Sequence, residues 1–340
     1  MYKGIKVLDV HGHVSAPGNG FAVLAGMLAS NTPRVHDPRT PQGLAGLNMT
    51  PEAWNASTGR HVGLMDDHNI DVQIIGPRPF AMLGWMQPHL LPHWTRLVNN
   101  FIFKQVEMHP TRFIGAAQLP QRSDAEDLSH CLPELERCVN ELGFGAVYLS
   151  PDPAGARTTP GMHKPYWYPV YERCQKLGLP IIVHGTNCVD QRFDVIPENY
   201  QIGFVMEQYL ATQLLSHSDV FERFPELKVV VCHCGGALDR FIPSDRHLSQ
   251  KDLRNNLFFD TCALDVNYLT AAIKQRTPAR MLFGTETPGS GGAIRPETGR
   301  PSDDLVPIIS GFDFLSEDDK QAIFHKNVLR ICPALKKLAA

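Results

Sequence analysis

The chain has 340 residues, of which 43% are hydrophobic and 20% are charged, and its formal net charge is -3. This near-neutral balance provides no basic surface for nucleic acid or an anionic membrane, so we expect a small-molecule ligand. No apolar run approaches the ~18 to 20 residues of a membrane span, and Met1 to Gly4 lead directly into a predicted strand. These features predict a cytoplasmic protein without nucleic-acid or membrane partners, and we expect a homo-oligomer.

Short β-branched runs recur along the chain, and each is followed by a helical stretch. The predicted strands are Ile5–Val10, Val72–Gly76, Phe113–Leu119, Ala146–Ser150, Pro180–His184, Lys228–His233, Leu257–Cys262 and Met281–Glu286. Eight strands alternating with helices predict a closed (β/α)8 TIM barrel, and such barrels reach this length as one unit. With no linker or internal repeat, we predict one domain over residues 1–340.

Several segments between these strands carry their own signals. Thr50 and Pro51 predict the start of a helix that runs to about His68, and Ser316 with Glu317 starts the last helix, which ends at Pro333. Residues 17–50 are rich in Gly, Pro and Asn and are too long for an ordinary loop. We therefore expect an extended loop or cap over the barrel mouth after strand one. Residues 287–301 form a second irregular stretch.

The cysteines are distributed through the chain instead of being concentrated in a small scaffold. The spacing of the eight cysteines does not match that of a compact disulfide framework, so we expect reduced thiols.

The pair His11-Gly12-His13 follows directly on the first predicted strand. Side chains alternate along an extended backbone, so residues two apart share a face and both imidazoles can reach one metal ion. An isolated pair of this kind is more often two surface histidines. The metal-site interpretation therefore depends on the residues that follow the other predicted strands.

Polar residues follow the other predicted strands with the same regularity. They are Arg78 after strand two, His184 after strand five, His233 after strand six, Asp260 on strand seven and Glu286 after strand eight. Because active sites of these barrels lie at the carboxyl ends of the strands, we expect these side chains to converge.

Three histidines and one carboxylate are ligands for one divalent ion, with Zn²⁺ favoured and Mn²⁺ or Fe²⁺ as alternatives. The predicted ligands are His11, His13, His184 and Glu286. Strand four ends in Ser150 without a lysine, which disfavours a binuclear centre bridged by a carbamylated lysine.

Over essentially the whole chain, this arrangement resembles the amidohydrolase superfamily, whose mononuclear branch includes the 2-amino-3-carboxymuconate-6-semialdehyde decarboxylase type. Finer motifs are similar to those of the 4-oxalomesaconate hydratases. They are Asp9–His13, Pro77-Arg78, Ile114–Pro120, Cys131–Gly143, Ser150–Gly155, Tyr166–Tyr171, Asn255–Cys262 and the Glu286 segment. Decarboxylases and hydrolases of the superfamily usually carry Asp after strand eight, whereas Gly284-Thr285-Glu286-Thr287-Pro288 has the Glu of the hydratase group.

The resemblance implies water addition to a conjugated C=C bond of a small polycarboxylate. Guanidinium groups bind carboxylates at two points, so Arg78, Arg295 and Arg192 are candidate substrate-binding residues, together with Tyr200. Arg78 and Arg295 match family arginines by local motif, and Arg192 does not align cleanly.

In this hypothesis Glu286 deprotonates the attacking water, and Cys188 or His233 delivers a proton to carbon. The family has a cysteine near position 188 that is implicated in this transfer, and the alternative is an inert, half-buried thiol. Glu286 can act as ligand, base or both, because its extra methylene moves the carboxylate about 1.5 Å relative to Asp.

Three stretches depart from the hydratase pattern: the segment after His184, the segment Ala263–Asp265, and Thr287 in place of Met. We expect all three in the pocket wall. A non-oxidative decarboxylase using the same site is the main alternative function. Hydrolysis of C–N or C–O bonds is disfavoured by the missing Asp, and pure binding does not explain metal-type residues on separate strands.

Overall fold

The computed structural model describes residues 1–34, 36–196, 199–240 and 256–339, and the side chains of Asn199 and Tyr200 are outside that description. Eight parallel strands form one sheet in the order β1 to β8. Their bounds are Leu8–His13 (β1), Val72–Gly76 (β2), Phe113–Gln118 (β3), Ala146–Leu149 (β4), Ile181–Val183 (β5), Val229–Val231 (β6), Leu257–Asp260 (β7) and Met281–Leu282 (β8). The amide of Val10 donates to the carbonyl of Phe283 at 2.9 Å, which joins β1 to the residue directly after β8. The predicted TIM barrel is confirmed.

The helices surround this barrel. Those before β6 are Asn19–Ser30 (α1), Pro41–Gly46 (α2), Pro51–Asp67 (α3), Leu91–Met108 (α4), Leu132–Asn140 (α5), Tyr168–Leu177 (α6), Asn199–Ser216 (α7) and Val220–Arg223 (α8). After β7 come Val266–Arg276 (α9), Leu305–Ser310 (α10), Glu317–Gln321 (α11), Asn327–Ile331 (α12) and Lys336–Ala339 (α13). A π-helical turn, Ala322–Lys326, joins α11 to α12, and the short strands Ile294–Arg295 (β9) and Arg300–Pro301 (β10) pair as an antiparallel hairpin.

Two layers of apolar side chains hold the barrel. The inner layer draws one or two residues from each strand, among them Leu8, Ile74, Tyr148 and Phe258. Carboxy-terminal side chains such as Leu335 pack against the same layer and close the end of the barrel opposite the strands' carboxyl ends. The polar residues at the other end are therefore positioned by a packed interior.

The predicted helix starts are confirmed by their caps. The Thr50 hydroxyl accepts from the Ala53 amide at 3.1 Å, and Ser316 and Asp319 form a reciprocal capping box. Pro333 does end the helix that closes at Ile331, although a further short helix follows it.

Strand β1 differs from its predicted bounds, because it runs from residue 8 to residue 13 instead of ending at Val10. Gly12 and His13 pair with Ile75 and Gly76 of β2 after a register irregularity, so the histidine pair lies within the strand. At the other end of the sheet, β8 is shorter than predicted.

The insertion after β1 is ordered as helices α1 and α2, not as an irregular loop. Thr40 caps α2 by accepting from the Gly43 amide, a local signal that the Gly, Pro and Asn content obscured. The Phe21 ring of α1 stacks on Phe80, which follows β2, with ring centroids 5.9 Å apart. The insertion thus packs beside the barrel mouth.

Candidate metal and substrate site

Three buried imidazoles meet at the carboxyl ends of the strands. His11 and His13 come from β1, and His184 directly follows β5. Their ring centroids lie 5.0 to 5.2 Å apart in edge-to-face pairs. One ligand atom from each, together with one Glu286 oxygen, falls within 4.8 Å of all the others.

The hydrogen bonds of these imidazoles fix their ring orientation. The Nδ1 atom lies 2.6 Å from Asp260 Oδ2 in His11, 2.8 Å from the Pro77 carbonyl in His13, and 2.7 Å from the Gly185 carbonyl in His184. A proton on each Nδ1 donates to these oxygens and leaves a lone pair on Nε2.

Each of the three Nε2 atoms is buried and makes no hydrogen bond. Buried polar atoms without partners are rare, and three that converge with a carboxylate match the donor set of a divalent metal ion. The residues present therefore fit the metal that the sequence predicted, and they form a candidate site for one divalent ion.

Glu286 completes the cluster from the turn after β8. Its Oε1 atom is 3.4 Å from His13 Nε2 and 3.9 Å from His184 Nε2, and its Oε2 accepts from the Ser290 hydroxyl at 3.0 Å. The residue adopts φ +64°, a left-handed conformation uncommon for a side chain of this size. Such strain persists only where the surroundings hold it.

The two flanking threonines provide that support. Thr285 donates from its hydroxyl to Asp9 Oδ2 at 2.6 Å, and Thr287 donates to Asp303 Oδ2 at 2.7 Å. The Gln73 amide group donates to both Asp9 Oδ2 and the Thr287 carbonyl, at 2.9 and 2.8 Å. A Cβ at Gly12 would overlap this amide, which explains why glycine separates the two histidines.

Burial and neighbouring charges set the protonation of the ligands. Burial lowers the pKa of His13 to about 4 and places the pKa of His184 well below its ordinary value. Burial also acts to lower the pKa of His11, but the hydrogen bond to Asp260 and its charge reverse the effect, so that pKa is raised. Burial acts to raise the pKa of Glu286, yet the adjacent imidazoles of His13 and His233 hold it well below its usual range. At neutral pH the site therefore offers a carboxylate and neutral imidazoles at His13 and His184.

His233 faces the same carboxylate from the turn after β6. Its Nε2 is 3.7 Å from Glu286 Oε2, and its Nδ1 is 3.1 Å from Gln208 Oε1 of α7. The ring belongs to the wall of a cavity of about 320 Å³ that also includes Phe204, Leu264 and Tyr268. His233 is thus open to the cavity on the side of the predicted ligands.

A second cavity of about 410 Å³ lies on the other side of Glu286 and Phe204, and its wall includes His13, Arg78 and Phe80. The Arg78 guanidinium donates to the Pro288 carbonyl at 3.3 Å. Burial lowers the pKa of Arg78, with Glu286 acting in the opposite direction. A substrate carboxylate at this position would compensate the buried cation.

The structure does not bring the other two predicted arginines to the walls of these cavities. Arg295 donates to the carbonyls of Leu264 and Ser302, at 2.8 and 2.7 Å, and so braces the hairpin behind the wall. Arg192 pairs with Asp190, and 75% of its side chain is exposed.

The two remaining candidates, Cys188 and Tyr200, are not among the side chains that meet at the candidate metal site. The Cys188 thiol accepts from the Asp190 amide at 3.4 Å, and the residue packs against Gly203 of α7. It is absent from the described walls of both cavities. Tyr200 lies in α7, and the prediction for its side chain is outside the described part of the chain.

The departures from the hydratase pattern occupy different places. Ala263, Leu264 and Asp265 line one cavity and Asn187 lines the other, as expected. Thr287 is fully buried and bonded to Asp303, so its expected place in the pocket wall is wrong.

Sequence reasoning did not include several contributors to the site. Asp260 was placed at a strand end but was given no part in orienting His11. Gln208 and Ser290 carried no signal, because a lone amide on a helix or a serine in a loop matches no motif.

Among the described residues, no helix is long and apolar enough to cross a membrane.

Known proteins resemble this chain over most of its length. A family model described as amidohydrolase matches residues 8–331. The chain is 30% identical to a 2-keto-4-carboxy-3-hexenedioate hydratase from Sphingobium sp., with 97% of each covered. It is 24% identical to a 2-amino-3-carboxymuconate-6-semialdehyde decarboxylase from Dictyostelium discoideum, with 77% of this chain and 72% of the relative covered. The solved structure of 4-oxalomesaconate hydratase from Rhodopseudomonas palustris superposes with a TM-score of 0.83 at 28% identity, with 97% of both chains covered.

Proposed function

The chain belongs to the amidohydrolase family, and we propose that it is a metal-dependent hydratase. Its reaction would add water across the conjugated C=C bond of 4-oxalomesaconate or a closely related oxo-tricarboxylate or oxo-dicarboxylate. The hydratases among its relatives support this assignment, because they match 97% of the chain in both sequence and structure. The observation that carries the proposal is Glu286, which joins three orphaned imidazole nitrogens and also borders both cavities.

The chain's own residues suit a division of roles. His11, His13, His184 and Glu286 would hold the ion, which when bound makes a nearby water more acidic and polarises substrate oxygens. Glu286 is ionised at neutral pH and borders both cavities, so its carboxylate is placed to accept a proton from the attacking water. Arg78 would bind a substrate carboxylate on the other side of this group.

His233 is placed to deliver the second proton, to carbon. With Nδ1 donating to Gln208 Oε1, its Nε2 faces Glu286 and the cavity, and in the imidazolium form this nitrogen would carry the proton that is transferred. Cys188 was the sequence's other candidate, but its thiol accepts from the Asp190 amide instead of lining either cavity. We therefore favour His233.

A non-oxidative decarboxylase of an aromatic or muconate-type acid is the second candidate. It is supported by the apolar wall of Phe204, Val205, Leu264 and Tyr268, which suits a flat unsaturated ring. The two reactions differ in what they consume, because hydration incorporates a water oxygen and decarboxylation releases CO₂.

The deciding experiment uses the metal-loaded protein with 4-oxalomesaconate in H₂¹⁸O. We expect loss of the conjugated ultraviolet absorbance and one ¹⁸O atom added at carbon without CO₂ release. Release of CO₂ without this added oxygen would favour the decarboxylase. The carbonyl oxygen exchanges with water, so the label is read after reduction of the product and fragmentation.

Glu286→Gln tests the role of the carboxylate within that reaction. The amide keeps nearly the same shape and an oxygen for the metal, but it cannot accept a proton near neutral pH. Turnover should fall by at least the ~10²-fold of a lost general base while substrate still binds. Glu297→Gln, an exposed glutamate in the following hairpin loop, is the matched control. Near wild-type hydration by Glu286→Gln would reject the base role.

Several finer properties belong to the same proposal. We infer Zn²⁺ as the native ion, because three imidazoles and one carboxylate match its usual ligands. One domain over residues 1–340 is supported by the family match and by the single eight-stranded sheet. A cytoplasmic location is supported by eight free cysteines, seven of them buried. The homo-oligomer stays a prediction from the sequence, to be tested by light scattering.

A further inference from the structure

A third cavity adjoins the mouth on the side of the helical insertion. Its volume is about 170 Å³, and it shares Arg78 and Phe80 with the wall of the cavity that contains His13 and Glu286. Its other walls come from the segment directly after β1, from α1 and from α4, and they include Val14, Phe21, Trp94, Val98 and Phe101. A molecule held at Arg78 therefore has an apolar pocket directly beside it.

The lining of this side pocket is apolar except for a single charged residue. Arg78 is the only charged residue among its described lining residues. The indole nitrogen of Trp94 donates to the Ala81 carbonyl at 2.6 Å, so it does not require a water molecule in the pocket. Phe21 and Phe80 stack at the entrance while 51% and 44% of their surfaces are exposed. Large apolar side chains exposed together often mark a place where an apolar group binds.

We propose that this side pocket binds an apolar substituent of the substrate while Arg78 holds a carboxylate of the same molecule. The inference rests on the proposed function, since it takes Arg78 as part of the substrate site. Within the proposed reaction it extends the substrate class beyond 4-oxalomesaconate to oxo-dicarboxylates, or related acids, that bear a short alkyl or phenyl branch near one carboxylate.

The size of the pocket sets which branches fit. Apolar cavities of about 150 Å³ stay dry and bind benzene, so a space of about 170 Å³ accepts a propyl or phenyl group. Each fully buried methylene contributes about fourfold in affinity, and three contribute about 60-fold. Partial exposure at the entrance reduces this gain, so we expect an increase of ten- to 60-fold for propyl.

The test measures binding and does not require turnover. Succinate, 2-propylsuccinate and 2-benzylsuccinate are titrated into the metal-loaded protein by calorimetry. All three carry the same two carboxylates and differ only in the branch. We expect a lower dissociation constant for 2-propylsuccinate than for succinate. The dissociation constant of 2-benzylsuccinate should be equal to or lower than that of 2-propylsuccinate.

Two variants locate the branch. Phe21→Ala removes an exposed wall and should not disturb the core, whereas Val98→Phe fills the pocket from α4. Both should reduce the preference for propylsuccinate over succinate by at least fivefold. Val23→Phe makes the same change as Val98→Phe at a half-buried position of α1 outside the described lining, and it should keep the wild-type preference.

Several results would overturn the proposal. Equal affinity for all three acids would mean that the branch gains no apolar contact. A preference that survives both Phe21→Ala and Val98→Phe would place the branch elsewhere, such as the Phe204 wall. No binding by any acid would remove the carboxylate at Arg78 on which the proposal depends. Failure of the ¹⁸O experiment, by contrast, would reject the hydratase reaction and leave this binding result standing.

Discussion

Asp260→Asn should weaken metal binding although Asp260 is not a predicted ligand. Its Oδ2 lies 2.6 Å from His11 Nδ1, and its Oδ1 accepts from the amides of Cys234 and Cys262, each at 3.1 Å. Every described contact of the carboxylate therefore uses it as an acceptor. An asparagine side chain has only one acceptor oxygen, and its nitrogen carries two donors.

Either orientation of the new amide creates a conflict. If its oxygen faces the two backbone amides, its nitrogen donates to His11 Nδ1 and the imidazole proton moves to Nε2, the atom needed for the metal. If its oxygen faces His11, its nitrogen meets two backbone N–H donors in a fully buried place. Loss of a partner behind a metal-binding histidine typically costs 10- to 100-fold in metal affinity, or about 1.4 to 2.7 kcal/mol.

The assay is a competition between metal-free protein and a chromophoric chelator for Zn²⁺. Asp318→Asn is the matched control, because that carboxylate is 91% exposed and pairs only with Lys326 among its described contacts. Circular dichroism verifies that both variants are folded. A Zn²⁺ affinity of Asp260→Asn within twofold of the wild type would refute the argument that Asp260 sets the proton position on His11.

Three further outcomes test the site. His184→Ala should keep the barrel's circular dichroism but lower metal affinity by at least ~100-fold, because loss of a ligand should cost no less than loss of a residue that only supports a ligand. Full metal content by elemental analysis would remove His184 from the ligand set. Arg78→Met should lower kcat/KM by about 30- to 900-fold, which corresponds to about 2 to 4 kcal/mol, and unchanged kinetics would make Arg78 structural. Metal affinity should fall about tenfold for each pH unit below the raised pKa of His11, because the metal can bind only after His11 loses one proton. Below the His13 pKa of about 4 the fall should be steeper, because a second proton must also be lost. A competition titration that shows no slope between pH 4 and 6.5 would contradict this order.

The candidate metal ligands were predictable because each lies at the carboxyl end of a strand or in the turn that follows it. A β-branched run announces the strand, and the barrel brings the ends of distant strands together, so His11 and His184 converge although 173 positions separate them. The order of eight strands needs only their number and alternation with helices. The sequence therefore located the cluster without any knowledge of side-chain geometry.

The partners behind the ligands were not predictable in the same way. Pro77 and Gly185 contribute backbone carbonyls to His13 and His184, and any residue type has that carbonyl. Arg295 is a different case, because its local motif suggested a substrate carboxylate as partner while its partners in the structure are backbone carbonyls. The hairpin of β9 and β10 turns the guanidinium toward the Leu264 and Ser302 carbonyls, and that register depends on contacts far along the chain.

Thr287 shows how a difference in sequence can be misplaced when only its neighbours are considered. Adjacent to Glu286, it was expected in the pocket wall, yet its hydroxyl donates to Asp303 and its carbonyl accepts from Gln73. The same Gln73 amide donates to Asp9, which accepts from Thr285 on the other side of Glu286. The left-handed turn at Glu286 is thus held from β1, β2 and the segment before α10, in addition to the hydrogen bond from Ser290 within its own loop. A change at Thr287 would act on the position of the Glu286 carboxylate and on turnover, whereas changes in Ala263–Asp265 would act on the choice of substrate.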